Sequence, residues 1–248
     1  MRAAPSALAL ALCAAAAAFS PPRPHIFFVV ADDLGWSDVG YHRNESHSAT
    51  PEVRTPTIDA LVADGVEMGR HYVHMICTPS RASLQTGRLP AHVITTLADP
   101  CDANGAIPRN MTGLAAKLKQ AGYATHHVGK WDAGMATPTH TPRGRGYDSS
   151  LNYFGHGNWA WSEGEWGGST DHQQAMPTPG FADLWDTDGP ARSLRGTGHE
   201  EYLFRARMLR ILREHDQATP LFMLYASKLA HYPLQVPYSL THSLTHPP

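Results

Sequence analysis

The run His25-Ile-Phe-Phe-Val-Val-Ala31 constrains the fold more than any other part of this chain. It is nearly continuous in apolar residues, rich in β-formers, and stops abruptly at Asp32-Asp33. A strand that is apolar on both faces of its pleat needs cover on both sides, as in a parallel sheet wrapped by helices. The remaining sequence fits that arrangement. Pro56 to Asp64 reads as a helix, with Thr55 placed to cap it, Pro56 suited to the first turn and Gly65 to the stop. Val66 to Tyr72 has strand character. Thr112 can cap a helix whose Leu114, Leu118 and Ala121 share one face, Gly122 ends it, and Tyr123 to Val128 reads as the next strand. His199 to His215 places Phe204, Met208 and Ile211 on one stripe, and Leu221 to Ala226 is a further apolar strand. Strands alternating with helices predict an α/β domain built on a largely parallel mixed sheet flanked by helices. In such sheets functional groups gather beyond the carboxyl ends of the strands, where Asp32, Asp33, Lys130 and His231 all fall.

Composition narrows the class. Of 248 residues, 42% are hydrophobic and 17% charged, which suits a folded body. Twenty Lys and Arg stand against 22 Asp and Glu, a formal charge of −2, so there is no electrostatic case for nucleic acid or an anionic membrane as partner. With 21 Gly and 20 Pro the chain is loop-rich, and the aperiodic stretch Phe154 to Arg195 reads as a functional surface loop. Residues 1–20 pair Arg2 with a short apolar core, Ala7 to Phe19, the pattern of a secretory signal peptide. No later stretch approaches the roughly 18 apolar residues of a membrane span, so no stable membrane insertion is expected. Asn44 and Asn110 open glycosylation sequons, which accord with secretion. Residues 24–237 form the expected domain, and 238–248, where SLTH repeats, read as a low-complexity tail. Removal of the signal leaves Cys77 and Cys101, which would pair by default in an oxidising compartment unless Cys77 has another fate.

Several groups carry chemistry. Adjacent carboxylates at the end of a buried strand are costly without a cation, so Asp32 and Asp33 are either ligands of a hard divalent ion or a turn with Asp33 as cap. Cys77-Thr78-Pro79-Ser80-Arg81 opens a helical segment whose free N–H groups and dipole suit a nucleophile and an anion, with Arg81 one turn on. Read alone, Cys77 is either a reactive thiol of the cysteine-phosphatase kind or a half-buried structural cysteine. Lys130 places a cation at the sheet's carboxyl edge, either as an anchor for an oxyanion or as the start of a surface loop. His231 follows the Leu221 strand, where it could protonate a leaving group. His71-x-x-His74 with Cys77 lacks a fourth zinc ligand at usual spacing.

Together, Ala31-Asp-Asp-Leu-Gly-Trp-Ser-Asp-Val-Gly40, Cys77-Thr-Pro-Ser-Arg81 with Thr86-Gly87-Arg88, Gly122-Tyr123-Ala124-Thr125 leading to Gly129-Lys130-Trp131, and His231-Tyr-Pro-Leu-Gln-Val-Pro237 resemble the type I sulfatases. Among them the chain is most similar to the arylsulfatase B (N-acetylgalactosamine-4-sulfatase) group. The resemblance implies an alkaline-phosphatase-like sulfatase domain that hydrolyses sulfate esters of aryl or carbohydrate substrates. It implies that Cys77 is converted to formylglycine by the formylglycine-generating enzyme and that the hydrated aldehyde attacks sulfur. It also implies that Asp32, Asp33 and the modified Cys77 bind one Ca²⁺, that Arg81 orients the modified residue, and that Lys130 and His231 bind sulfate. The compartment implied is extracellular or lysosome-like.

Two departures stand out. The family motif continues Gly-Lys-Trp-His, whereas this chain has Asp132, a negative charge on the side from which sulfate approaches. At ~4 Å and an effective dielectric of ~20 that repulsion is about 4 kcal/mol. The family's remaining calcium ligands (an Asp-Asn pair), a further sulfate-binding lysine and a smaller C-terminal domain also lie past Pro237, so the C-terminal half is expected to be absent here. Two alternatives follow: a catalytically inactive or truncated sulfatase-like chain, and a phosphomonoesterase or phosphodiesterase of the alkaline phosphatase type. Cys77 argues against the second, whose nucleophile is Ser or Thr.

Overall fold

A computed structural model of the chain describes residues 23–43, 53–157, 183–194, 197–232 and 234. The signal peptide, Asn44 and the tail lie outside them. Six strands form one sheet in the order β1-β6-β2-β3-β4-β5. Here β1 is Ile26–Ala31, β2 Ala124–Lys130, β3 Ser149–Tyr153, β4 Trp185–Asp186, β5 Gly189–Pro190 and β6 Leu221–Ser227. The first four in that order run parallel, and the two short strands β4 and β5 add antiparallel pairs, so the sheet is mixed as expected. Among the described residues four α-helices accompany it: α1 Pro56–Asp64, α2 Cys77–Thr86, α3 Leu114–Gln120 and α4 Glu200–Glu214.

Each face of the central strands has its own core, because successive side chains of a strand point to opposite sides. Phe222, Leu224 and Ala226 of β6 join Trp131, Tyr147, Ala82 of α2 and Ala115 of α3. On the other face Val128, Leu151 and Tyr153 meet Phe204 of α4, with Met208 and Ile211 from the same stripe packed alongside. The register sets Ala31 opposite Ser227 and Gly129 opposite Ala226. The carboxyl ends of β1, β6 and β2 therefore come level at one edge.

Four local expectations need correction. β1 is apolar but not covered: Phe27, Phe28 and Val29 are 50%, 38% and 55% exposed, because β1 ends the sheet and pairs only with β6 among the described residues. Val66 to Tyr72 forms no strand, since it has no partner strand and Val66, Met68 and Tyr72 are exposed. Thr55 does not cap α1; its hydroxyl instead donates to Asp59 and accepts from the N–H of Gly40. Thr112 likewise gives way to Gly113 at the start of α3. The strand β3 is only weakly signalled in the sequence, because Leu151 and Tyr153 alternate with Ser150 and Asn152, which are polar yet fully buried.

Candidate active site

The site is assembled at that carboxyl edge. Asp32 directly follows β1; its carboxylate is buried, and its N–H bonds the carbonyl of Ser227 at 3.2 Å. Cys77 opens α2, and Pro79 is tolerated there because the first-turn N–H groups have no helical partner. The helix stops at Gly87, which takes the left-handed conformation at φ 65°. Lys130 is the last residue of β2, and its position depends on Gly129. At φ 98° a β-carbon on Gly129 would stand 2.1 Å from the carbonyl oxygen of Ala226 on the neighbouring strand, so only glycine fits.

Four expected residues come together around Asp32. Arg81 Nη2 donates to Asp32 Oδ1 at 2.9 Å and Lys130 Nζ to Oδ2 at 2.7 Å. Lys130 Nζ also lies 3.2 Å from Cys77 Sγ, which is itself 3.9 Å from Asp32 Oδ1. His231 Nε2 is 4.0 Å from Asp32 and 3.5 Å from Asp33. Arg81 is not aimed at an incoming anion. Its second nitrogen, Nη1, donates to the carbonyl oxygen of Lys130 at 2.9 Å, so the guanidinium ties α2 to the ends of β1 and β2. Asp33 departs most from expectation: it turns left-handed at φ 56° and its side chain is 61% exposed, outside the Asp32–Cys77 contact.

The electrostatics follow from this packing. Burial opposes ionisation of Asp32, but Arg81, Lys130 and then His231 outweigh it and hold the carboxyl below its ordinary range. Burial pushes the Cys77 thiol up; Lys130 offsets part of the rise and Asp32 adds to it. A protonated thiol is the opposite of what a thiolate nucleophile requires, which disfavours the cysteine-phosphatase reading. Cys77 and Cys101 are both free.

For a cation, Asp32, Cys77 and His231 offer ligand atoms within 4.8 Å of one another, whereas His71 and His74 take no part in such a group among the described residues. A hard ion such as calcium prefers oxygen donors, six to eight in number. Asp32 supplies two oxygens, each accepting here from Arg81 or Lys130, Asp33 lies outside the group beside His231, and Cys77 offers oxygen only once its sulfur has been replaced. Of the three grouped side chains only Asp32 offers oxygen as the chain stands.

Sequence reasoning treated Asp132 as an unopposed charge; the structure corrects this. Asp132 is buried, accepts the Thr78 hydroxyl at 2.7 Å, meets His156 Nδ1 at 3.0 Å, and lies 3.6 Å from Lys130 Nζ. The sequence does not single out His156 or Thr78: His156 sits in an aperiodic stretch, and Thr78 reads only as part of a motif. A lysine at the first position after β6, Lys228, is also buried, and its pKa falls to about 8 because burial outweighs Glu200 and Glu201.

Comparison with known proteins places the chain. The sulfatase family model matches residues 24–243. Arylsulfatase J of Mus musculus is 35% identical over 87% of this chain and 34% of its own length. N-acetylgalactosamine-6-sulfatase of Rattus norvegicus is 31% identical over 88% of the chain and 41% of its own length. Among solved structures, Ps i-CgsB superposes with a TM-score of 0.72 at 26% identity, covering 88% of this chain and 47% of that one. The chain thus spans less than half the length of these relatives. The α/β sheet with helices on both faces is the sulfatase fold, and the chain belongs to the sulfatase family.

Proposed function

We propose that this chain forms the nucleophile-bearing part of a sulfatase that hydrolyses sulfate esters of carbohydrates, at a site made of Cys77, Arg81, Lys130 and His231 around Asp32. The observation that carries the reading is the convergence of Arg81, Lys130 and Cys77 on one buried carboxylate. The carbohydrate class is supported by the name of the N-acetylgalactosamine-6-sulfatase relative and by the complex of Ps i-CgsB with k-i-k-neocarrahexaose.

In this reading Cys77 is converted to formylglycine by the formylglycine-generating enzyme, and its hydrated aldehyde supplies a hydroxyl that attacks sulfur and a second that later releases sulfate. Asp32, Asp33 and the converted Cys77 would hold calcium, which would offset charge on the sulfuryl oxygens. The chain's own groups do the rest. Lys130 presents its ammonium to the sulfuryl group beside the nucleophile. Arg81 fixes Asp32 and the Lys130 backbone, so the two charged groups keep their spacing. His231 donates a proton to the departing alcohol oxygen. Residues 1–20 direct the chain into the secretory pathway, residues 24–237 form the catalytic unit, and Asn44 and Asn110 carry glycans.

Mass spectrometry of the protein secreted from cells holding the generating enzyme tests the modification: the Cys77 peptide is expected lighter by exchange of CH2SH for CHO. Turnover of an aryl sulfate, lost on Cys77→Ala and on calcium chelation, tests the activity. An intact thiol in the secreted protein, or turnover that survives Cys77→Ala, overturns the reading.

A further inference from the structure

Asp132 stands where the family motif resembled by this chain has histidine, and it is only 2% exposed. A carboxylate so enclosed is costly unless paired. Among the described residues, its side-chain hydrogen bonds and ion pairs are with Thr78, His156 and Lys130. Thr78, the residue after Cys77, gives its hydroxyl at 2.7 Å; His156 Nδ1 lies at 3.0 Å; Lys130 Nζ lies 3.6 Å away. A φ of 47° at Asp132, a left-handed turn that Asp accepts more readily than most residues, sets this direction at the exit of β2.

His156 is held in turn. The Asp183 carboxylate accepts the N–H of Phe154 at 2.9 Å and of Gly155 at 2.7 Å, fixing the turn that carries the imidazole. The Lys130 ammonium is therefore bracketed on three sides: Asp32 at 2.7 Å, Cys77 Sγ at 3.2 Å and Asp132 at 3.6 Å. Two carboxylates on different segments leave a flexible four-carbon side chain one place to put its charge.

We propose that Asp132 and His156 are positioning residues: Asp132, braced by Thr78 and by His156 Nδ1, holds the Lys130 ammonium against the Cys77 side chain. The catalytic consequence rests on the sulfatase reading above; the arrangement itself does not. A reacting group displaced by about 1 Å can cost on the order of a hundredfold in rate, so the brace has a measurable effect.

The test compares Asp132→Asn, His156→Phe and His156→Asn in the full chain, the last because an asparagine amide can replace the Nδ1–H donor. The side-chain ammonium resonance of Lys130 is followed by proton–nitrogen NMR, assigned by its loss in Lys130→Arg. It is expected to be sharp in the wild type and in His156→Asn, and shifted or exchange-broadened in Asp132→Asn and His156→Phe. In aryl-sulfate turnover, Asp132→Asn and His156→Phe should lower kcat by about tenfold to a hundredfold. KM should stay within about threefold, and His156→Asn should stay close to wild type. An unmoved resonance in Asp132→Asn, equal behaviour of the two His156 variants, or a loss confined to KM overturns the proposal. A wild type that shows the expected resonances but turns over no sulfate ester retires the sulfatase reading and leaves the brace standing; normal turnover with unmoved resonances does the reverse.

Discussion

Replacing Lys130 with methionine removes the charge that lies between Asp32 and Asp132 while keeping most of the side-chain volume. At 2.7 Å and 3.6 Å from the two carboxylates, and with an effective dielectric of ~20, the gross attractions are about 6 and about 5 kcal/mol. Desolvation of the ammonium offsets much of this, and breaking a buried pair usually costs about 3–5 kcal/mol because a charge is left unpaired. That is a large part of the roughly 5–15 kcal/mol that holds a domain folded. The loss should depend on pH. Asp32 is held below its ordinary value of 3.8, so its pairing adds stability above that value and the contribution is lost as pH falls through the lower, folded one. Without Lys130 the carboxyl keeps its burial and loses one of its two nearest cations, so it takes up a proton at higher pH. Urea unfolding followed by tryptophan fluorescence at pH 7 and below pH 4 should show a large deficit for Lys130→Met at neutral pH that narrows in acid. An equal deficit at both pH values, or wild-type stability at neutral pH, would refute the electrostatic account of the site.

Gly129→Ala should prevent folding of the β2–β6 pairing, since its β-carbon meets backbone rather than a movable side chain; loss of the cooperative unfolding transition is the readout. The Asp183 carboxyl is raised to about 6 by burial, despite two backbone N–H donors, with Asp132 adding to the rise. The folded state thus keeps a proton that the unfolded state releases near pH 4, and stability falls as pH rises between about 4 and 6. Asp183→Asn should flatten that slope, worth on the order of 3 kcal/mol at about 1.4 kcal/mol per unit, in urea titrations across the window; an unchanged slope would contradict it. Among the described residues β1 pairs only with β6, and its exposed Phe27, Phe28 and Val29 should drive concentration-dependent self-association. Val29→Lys, at a position 55% exposed, should reduce it in light scattering without lowering the unfolding midpoint.

The parts of the fold that were legible in the sequence are those where burial and periodicity agree. β6 and α4 could be bounded to within a residue because their apolar residues match one period and Gly, Pro or His marks their ends. β3 was missed for the opposite reason. Its Ser150 and Asn152 are buried with side-chain atoms that find no hydrogen-bond partner among the described residues, so nothing in residue type announces a core strand. Val66 to Tyr72 was misread because β-propensity reports suitability for a half-buried pleat, and no partner strand offers that pleat here. β1 shows the same limit: its apolar run identifies a strand, but its exposure depends on its neighbours.

The site divides along a similar line. Asp32, Cys77, Arg81, Lys130 and His231 were legible because each lies in a short motif or directly after a strand, and a parallel sheet brings strand ends together whatever loops intervene. Their directions were not legible. Arg81 lies one turn from Cys77 and could serve an anion, yet Nη1 and Nη2 of its guanidinium are taken by the Lys130 carbonyl and Asp32. Asp132 is the sharpest case. Considered as a charge alone it opposes an anionic substrate. Once Thr78 and His156 occupy its carboxylate and Lys130 stands 3.6 Å away, the same charge is paired with a buried cation. The two accounts differ by the placement of one residue 24 positions downstream, and a sequence motif cannot encode that placement because the contact is made only when β2 and the turn after β3 lie side by side.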